Sequence, residues 1–92
     1  MTMSFSERTF TIVNALGLHA RAAAQLVQAA NRFQSEILIA KEGSSVNGKS
    51  IMGVLTLAAA KGSKITVSCE GADAEPALAA LGKMIEAGFG ES

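Results

Sequence analysis

The chain has no tryptophan and no tyrosine, four phenylalanines, one proline, one cysteine and, in 92 residues, one histidine. Each scarcity excludes something. A lone cysteine, Cys69, cannot close an internal disulfide, which fits a reducing cytoplasm. One histidine and one cysteine far apart make a poor ligand set, so neither a metal nor a cofactor is expected. Eight basic and eight acidic side chains give zero net charge, which removes the electrostatic footprint of a nucleic-acid or anionic-membrane binder. Any charged partner must then be recognised by a local patch. Hydrophobic residues make up 49 % of the chain, swollen by alanine, yet no apolar run approaches the ~18 residues of a membrane span. The opening Met1-Thr-Met-Ser-Phe5 shows neither a basic leader nor a long apolar segment, so no secretory signal is expected and the predicted location is cytoplasmic. The length suits a single domain, residues 1–92.

What is present is strongly patterned. Residues 7 to 13 alternate as a strand, with Phe10 and Ile12 on one face and Thr9, Thr11 and Val13 on the other. Gly17 breaks the alternation, and residues 20 to 32 follow as a helix whose apolar stripe holds Ala23, Leu26, Val27 and Ala30. Glu36 to Lys41 reads as a second strand. It turns at Glu42-Gly-Ser44 into a short third strand over residues 45 to 47. Ser50 is placed to cap a short helix over residues 51 to 58, where Ile51, Met52, Val54, Leu55 and Leu57 are too many for one buried stripe, so some must face water. Lys64 to Glu70 alternates cleanly, with Ile65, Val67 and Cys69 inward. Asp73 is placed to cap a last helix that has Pro76 in its first turn and Leu78, Leu81 and Ile85 at helical spacing. Gly82 weakens that helix, and the tail from Gly88 is expected to fray. The predicted order, strand, helix, strand, strand, short helix, strand, helix, is that of an α+β domain with helices on one face of an antiparallel sheet.

The chemistry converges on His19. It falls at the start of the first helix, where backbone N–H groups lack intrahelical partners and the macrodipole is positive, and Arg21 adds a cation two residues on. An imidazole, free amides and a guanidinium suit a phosphate, and a ring nitrogen can itself be the phosphate acceptor. A lone histidine followed by an arginine is also compatible with plain helix capping. The segment Gly43 to Ser50 matches the letters of a phosphate-binding loop, but it runs through a strand hairpin into a very short helix, so the match reads as accidental.

Gly17-Leu-His-Ala-Arg21 resembles the active-site signature of the histidine-containing phosphocarrier (HPr) family of the bacterial phosphoenolpyruvate-dependent sugar phosphotransferase system. Val46-Asn-Gly-Lys-Ser-Ile-Met-Gly-Val-Leu55 is similar to that family's regulatory-serine segment, in register with the first motif. The resemblance spans essentially the whole chain. It implies an open-faced sandwich: a four-stranded antiparallel sheet in the order 1-4-2-3 with three helices on one face. It implies a phosphoryl group carried on His19, through Nδ1, stabilised by Arg21 and by backbone amides at Ala20 and Arg21. It implies enzyme I as donor, enzyme IIA domains as acceptors, and no turnover by the chain alone.

Ser50 is the implied regulatory phosphorylation site, with an HPr kinase/phosphorylase as the modifying enzyme. The apolar residues Ile51, Met52 and Leu55 beside it form the expected partner-binding patch, and a monomer is expected. Ala22 departs from the commonest family pattern, where proline directly follows the arginine; alanine supports a helical first turn equally well and adds an N–H. Two alternatives stand beside this reading: a regulatory, nitrogen-type paralogue that carries little sugar flux, and a small ligand-binding module with a structural histidine.

Overall fold

The structure is a computed structural model that describes residues 4–91. Its elements run β1 (Ser4–Thr11), α1 (Ala20–Ala30), β2 (Glu36–Lys41), β3 (Ser44–Asn47), α2 (Ile51–Thr56), β4 (Lys64–Gly71) and α3 (Ala74–Glu86), followed by a 3₁₀ turn at Gly88–Gly90. The strands form one antiparallel sheet in the order β1-β4-β2-β3. This is the α+β open-faced sandwich that the resemblance implies.

The alternation of the strands decides which face of the sheet is covered. Phe10, Ile37, Ile39, Ile65, Val67 and Cys69 all point to the helices and are buried. On the opposite face Thr9 and Thr66 pair through their hydroxyls at 2.9 Å, and Ser68 Oγ donates to Glu7 at 3.0 Å. Phe5 and Leu38 lie exposed on that face, so the sheet is wet on one side as its sequence demands. The helices complete the core: α1 buries Ala22, Ala23, Leu26, Val27 and Ala30, and α3 buries Ala77, Leu81 and Ile85. Each buried Leu or Ile contributes about 1.5–3 kcal/mol, and Leu26→Ala at 0 % exposure would cost on the order of 2–5 kcal/mol. Gly82 has a packing reason. A Cβ there would come within 2.7 Å of the Phe10 ring, so the weak helix former is what lets α3 lie close on β1.

Several boundaries differ from the sequence reading. β1 begins at Ser4, because the ladder to β4 runs from Ser4 opposite Gly71 to Thr11 opposite Lys64. Ile12 lies outside the strand, although its N–H still donates to Ser63 O at 2.9 Å and its C=O accepts from Gly62 N at 2.8 Å. α1 stops at Ala30, two residues early, where the Asn31 amide turns back to Val27 O at 2.9 Å. α2 stops at Thr56 because Ala58 takes φ 49°, which a helix cannot use. Asp73 occupies the cap position of α3 but makes no capping bond. Its carboxylate instead accepts from Gln34 N at 2.9 Å, Ser35 N at 2.9 Å and Ser35 Oγ at 2.5 Å, binding the loop after α1 to the start of α3.

The largest departure is the tail. Gly88, Phe89 and Gly90 have φ of 63°, 58° and 75°. Three successive left-handed residues reverse the chain, which glycine permits cheaply and phenylalanine does not. The reversal drives Phe89 into the core at 6 % exposure, and its burial offsets the backbone strain. The tail is therefore docked.

Candidate functional site

His19 is the N-cap of α1, with φ −74° and ψ 179°. Its carbonyl accepts from Ala23 N at 2.8 Å, the first bond of the helix. Its ring folds back over the helix start, where Nδ1 accepts from Arg21 N at 3.4 Å, a long and therefore weak contact. The amides of Ala20, Arg21 and Ala22 precede Ala23 N–H, the first intrahelical donor, so the positive end of α1 opens beside Nδ1.

Gly17 holds this turn in place. Its φ is 65°, and a Cβ would lie 2.3 Å from Ala59 O, so no side chain fits without moving backbone. The next residue donates its N–H to that same Ala59 O at 2.8 Å, which joins the His19 turn to the chain leaving α2.

His19 and Arg21 line one cleft of ≈ 360 Å³ together with Ala15, Leu16, Phe89, Gly90 and Glu91. Ala20 lies between the two at the helix start. Leu16, 70 % exposed, forms an apolar rim. Glu91 Oε2 lies 2.5 Å from His19 Nε2, and both side chains are mostly shielded from water. The other carboxylate oxygen accepts from Asn14 Nδ2 at 3.0 Å, and Asn14 Nδ2 also donates to Gly17 O at 2.8 Å. Asn14 is buried, and its Oδ1 has no donor among the described residues. The hydrogen bond from Asn14, then that from His19, holds the Glu91 carboxyl below the usual carboxylate range; the positive charge of Arg21 adds to this against the opposing effect of burial.

Sequence reading had no means of finding Glu91 or Asn14 as members of this site. The His19–Glu91 contact spans 72 positions, far beyond any local period, and the Gly-Phe-Gly sequence before Glu91 reads as a helix stop.

Ser50, Ile51, Met52 and Leu55 do not line the cleft. They lie on α2, which packs beside α1. Ser50 caps α2, its Oγ accepting from Gly53 N at 3.1 Å. Ile51 is 41 % and Met52 73 % exposed, whereas Leu55 is half-buried against the core and offers only part of its side chain. Lys49, the lysine of the phosphate-loop letters, donates to Phe33 O at 2.7 Å, so its ammonium is committed to the chain after α1.

A helix-start histidine with a guanidinium in the same cleft defines a small α+β domain whose site suits an anionic group. Comparison with known proteins supplies the rest. The family model described as "PTS HPr component phosphorylation site" matches residues 6–87. The chain is 48 % identical over 85 residues to the phosphocarrier protein HPr of Neisseria meningitidis serogroup A, covering 92 % of this chain and 96 % of that one. The HPr structure from Thermoanaerobacter tengcongensis superposes with TM-score 0.92 at 46 % identity over 95 % of this chain and 98 % of its own. An HPr dimer from the same organism superposes at 0.77, with 46 % identity and 89 % and 94 % coverage. The chain belongs to the HPr family. It is a phosphocarrier protein of the phosphotransferase system and has no turnover of its own, and family membership implies partners within that system.

Proposed function

We propose that His19 is the residue that carries the phosphoryl group, through Nδ1, taking it from phospho-enzyme I and passing it to enzyme IIA domains. The observation that carries this reading is the position of Nδ1 over the first turn of α1, in the same cleft as Arg21. Phosphoryl transfer needs in-line access and charge stabilisation more than covalent machinery. Arg21 and the amides of Ala20 and Arg21 would hold the phosphoryl oxygens.

Ser50 is proposed as a regulatory phosphorylation site for an HPr kinase/phosphorylase, with Ile51, Met52 and part of Leu55 as the partner-binding patch. Support comes from the exposure of Ile51 and Met52 beside the Ser50 cap. A phosphate at a helix start agrees with the dipole, so it would alter docking and leave the fold intact.

The working form is read as a single-domain monomer in the cytoplasm. No helix among the described residues is long and apolar enough to cross a membrane. Because an HPr dimer is known from Thermoanaerobacter, sedimentation of this chain at working concentration tests the monomer directly.

The deciding experiment is incubation with phosphoenolpyruvate and purified enzyme I, followed by mass spectrometry for an acid-labile phosphate. Wild type gains one phosphoryl group on His19. His19→Ala gains none while staying folded, since the ring is part-exposed at a helix start; full labelling of that variant ends the assignment.

A further inference from the structure

We propose that Glu91 is a positioning residue for the phosphoryl transfer: its carboxylate holds the proton on His19 Nε2, so that the lone pair resides on Nδ1. The inference rests on His19 as the accepting residue and concerns what prepares it.

The two ring contacts fit one neutral tautomer. A carboxylate can only accept, so Nε2, 2.5 Å from Glu91 Oε2, is the donor. Nδ1 lies against the N–H of Arg21, so it must be the acceptor. A proton on Nδ1 would set two N–H groups against each other and leave Glu91 facing a lone pair. Glu91 is itself fixed from behind, because Asn14 Nδ2 donates both to Gly17 O and to Glu91 Oε1. That brace lies in the buried turn that also carries Gly17, so the histidine, its turn and the tail are registered by one amide.

The transfer step balances without any proton moving. The Nδ1 lone pair forms a bond to phosphorus, the bond from phosphorus to the phosphorylated protein donor breaks, and its electron pair leaves with the donor. The ring, holding phosphorus on Nδ1 and its original proton on Nε2, becomes positively charged beside the Glu91 carboxylate, which stabilises that charge. Onward transfer reverses these changes and returns the ring to the same tautomer, so a full cycle exchanges no proton with solvent.

The brace gives the test an unusual sign. Glu91→Gln is nearly isosteric, but Asn14 Nδ2 still demands an acceptor, so the new carbonyl oxygen faces Asn14 and the new NH₂ faces His19 Nε2. That donor forces the lone pair onto Nε2 and the proton onto Nδ1. Glu91→Ala merely releases the ring. Long-range ¹H–¹⁵N spectra of the histidine should show the Nε2–H tautomer dominant in wild type, a mixture in Glu91→Ala, and Nδ1–H dominant in Glu91→Gln.

In parallel, kcat/KM for accepting phosphate from phospho-enzyme I should fall several-fold for the Ala variant and at least about tenfold further for the Gln variant, as expected when a histidine is trapped in the wrong tautomer. A Gln variant that keeps Nε2–H, or that accepts phosphate at least as fast as the Ala variant, overturns the proposal. The tautomer readout needs no phosphate, so it stands or falls separately from labelling of His19.

Discussion

Phe89→Ala tests whether the tail is a latch or part of the core. Burying the ring to 6 % exposure contributes about 2–3 kcal/mol. Holding a non-glycine residue at φ 58° costs about 1 kcal/mol. The difference, about 1–2 kcal/mol, is the net contribution of Phe89 to keeping the tail docked. Removing the ring forfeits most of the favourable part while alanine keeps the strain, so the tail should release and the rest of the domain stay folded. The global cost is then capped near the docking energy, about 4–12 °C in Tm for a chain of this size.

Calorimetry measures the drop, and hydrogen exchange at the Glu91 amide, which donates to Gly88 O at 3.0 Å, measures the release. The Glu91 amide should exchange freely in the variant while amides in β4 remain protected. An unchanged Glu91 amide, or a Tm loss beyond about 20 °C of the kind a central Phe→Ala cavity produces, refutes the latch. The same variant should show the mixed histidine tautomer of Glu91→Ala, because the carboxylate leaves with the tail.

Arg21→Ala should still accept phosphate on His19 but more slowly, by up to ~3 kcal/mol of transition-state stabilisation; quench-flow rates equal to wild type in both directions would return Arg21 to the solvated charges. Ser50→Ala should lose the bond to Gly53 N and about 1 kcal/mol of stability in urea titration. Ser50→Asp keeps a capping oxygen and should be at least as stable, but it should accept phosphate from enzyme I more slowly than Ser50→Ala at matched folded fractions; equal rates would leave Ser50 a cap alone. The Asp73 carboxyl is held below its ordinary range, first by the Ser35 hydroxyl and then by the Gln34 amide. A lowered folded pKa means its contribution is complete above the ordinary carboxylate range, near pH 4, and is lost as pH falls through the folded value. Urea midpoints of wild type should therefore decline more steeply below about pH 4 than those of Asp73→Asn, and parallel curves would remove Asp73 from the acid limb.

Local physics made much of the molecule legible. The alternation through β4 assigned Ile65, Val67 and Cys69 to the core. The change from period two to helical spacing around Gly17 located His19 at a helix start, and the excess of apolar residues after Ser50 required the exposure that Ile51 and Met52 show. What stayed hidden depends on partners distant in sequence. Ser4 to Ser6 carry little strand signal of their own and are ordered by pairing with Cys69 to Gly71. Asp73 looks like a helix cap because its type and place suit one, but the loop amides at residues 34 and 35 compete for its carboxylate. The glycines around Phe89 were read as helix breakers; in the fold they supply the left-handed turns that aim Phe89 inward and Glu91 at the histidine.

The strand order also bears on how the molecule assembles in time. β4 pairs with β1 along eight residues and with β2 along five, yet it is the last strand to leave the ribosome. Until it arrives, β1 has no neighbour and the β2–β3 hairpin has no sheet to join, so the apolar face of α1 has little to pack on. Closing such distant pairs pays loop entropy before it gains contacts, which slows folding. The cleft is completed later still, by a glutamate 72 positions beyond the histidine it touches. A nascent chain would therefore display His19 well before Glu91 could orient it, and full readiness to carry phosphate would wait on a residue far downstream of the histidine.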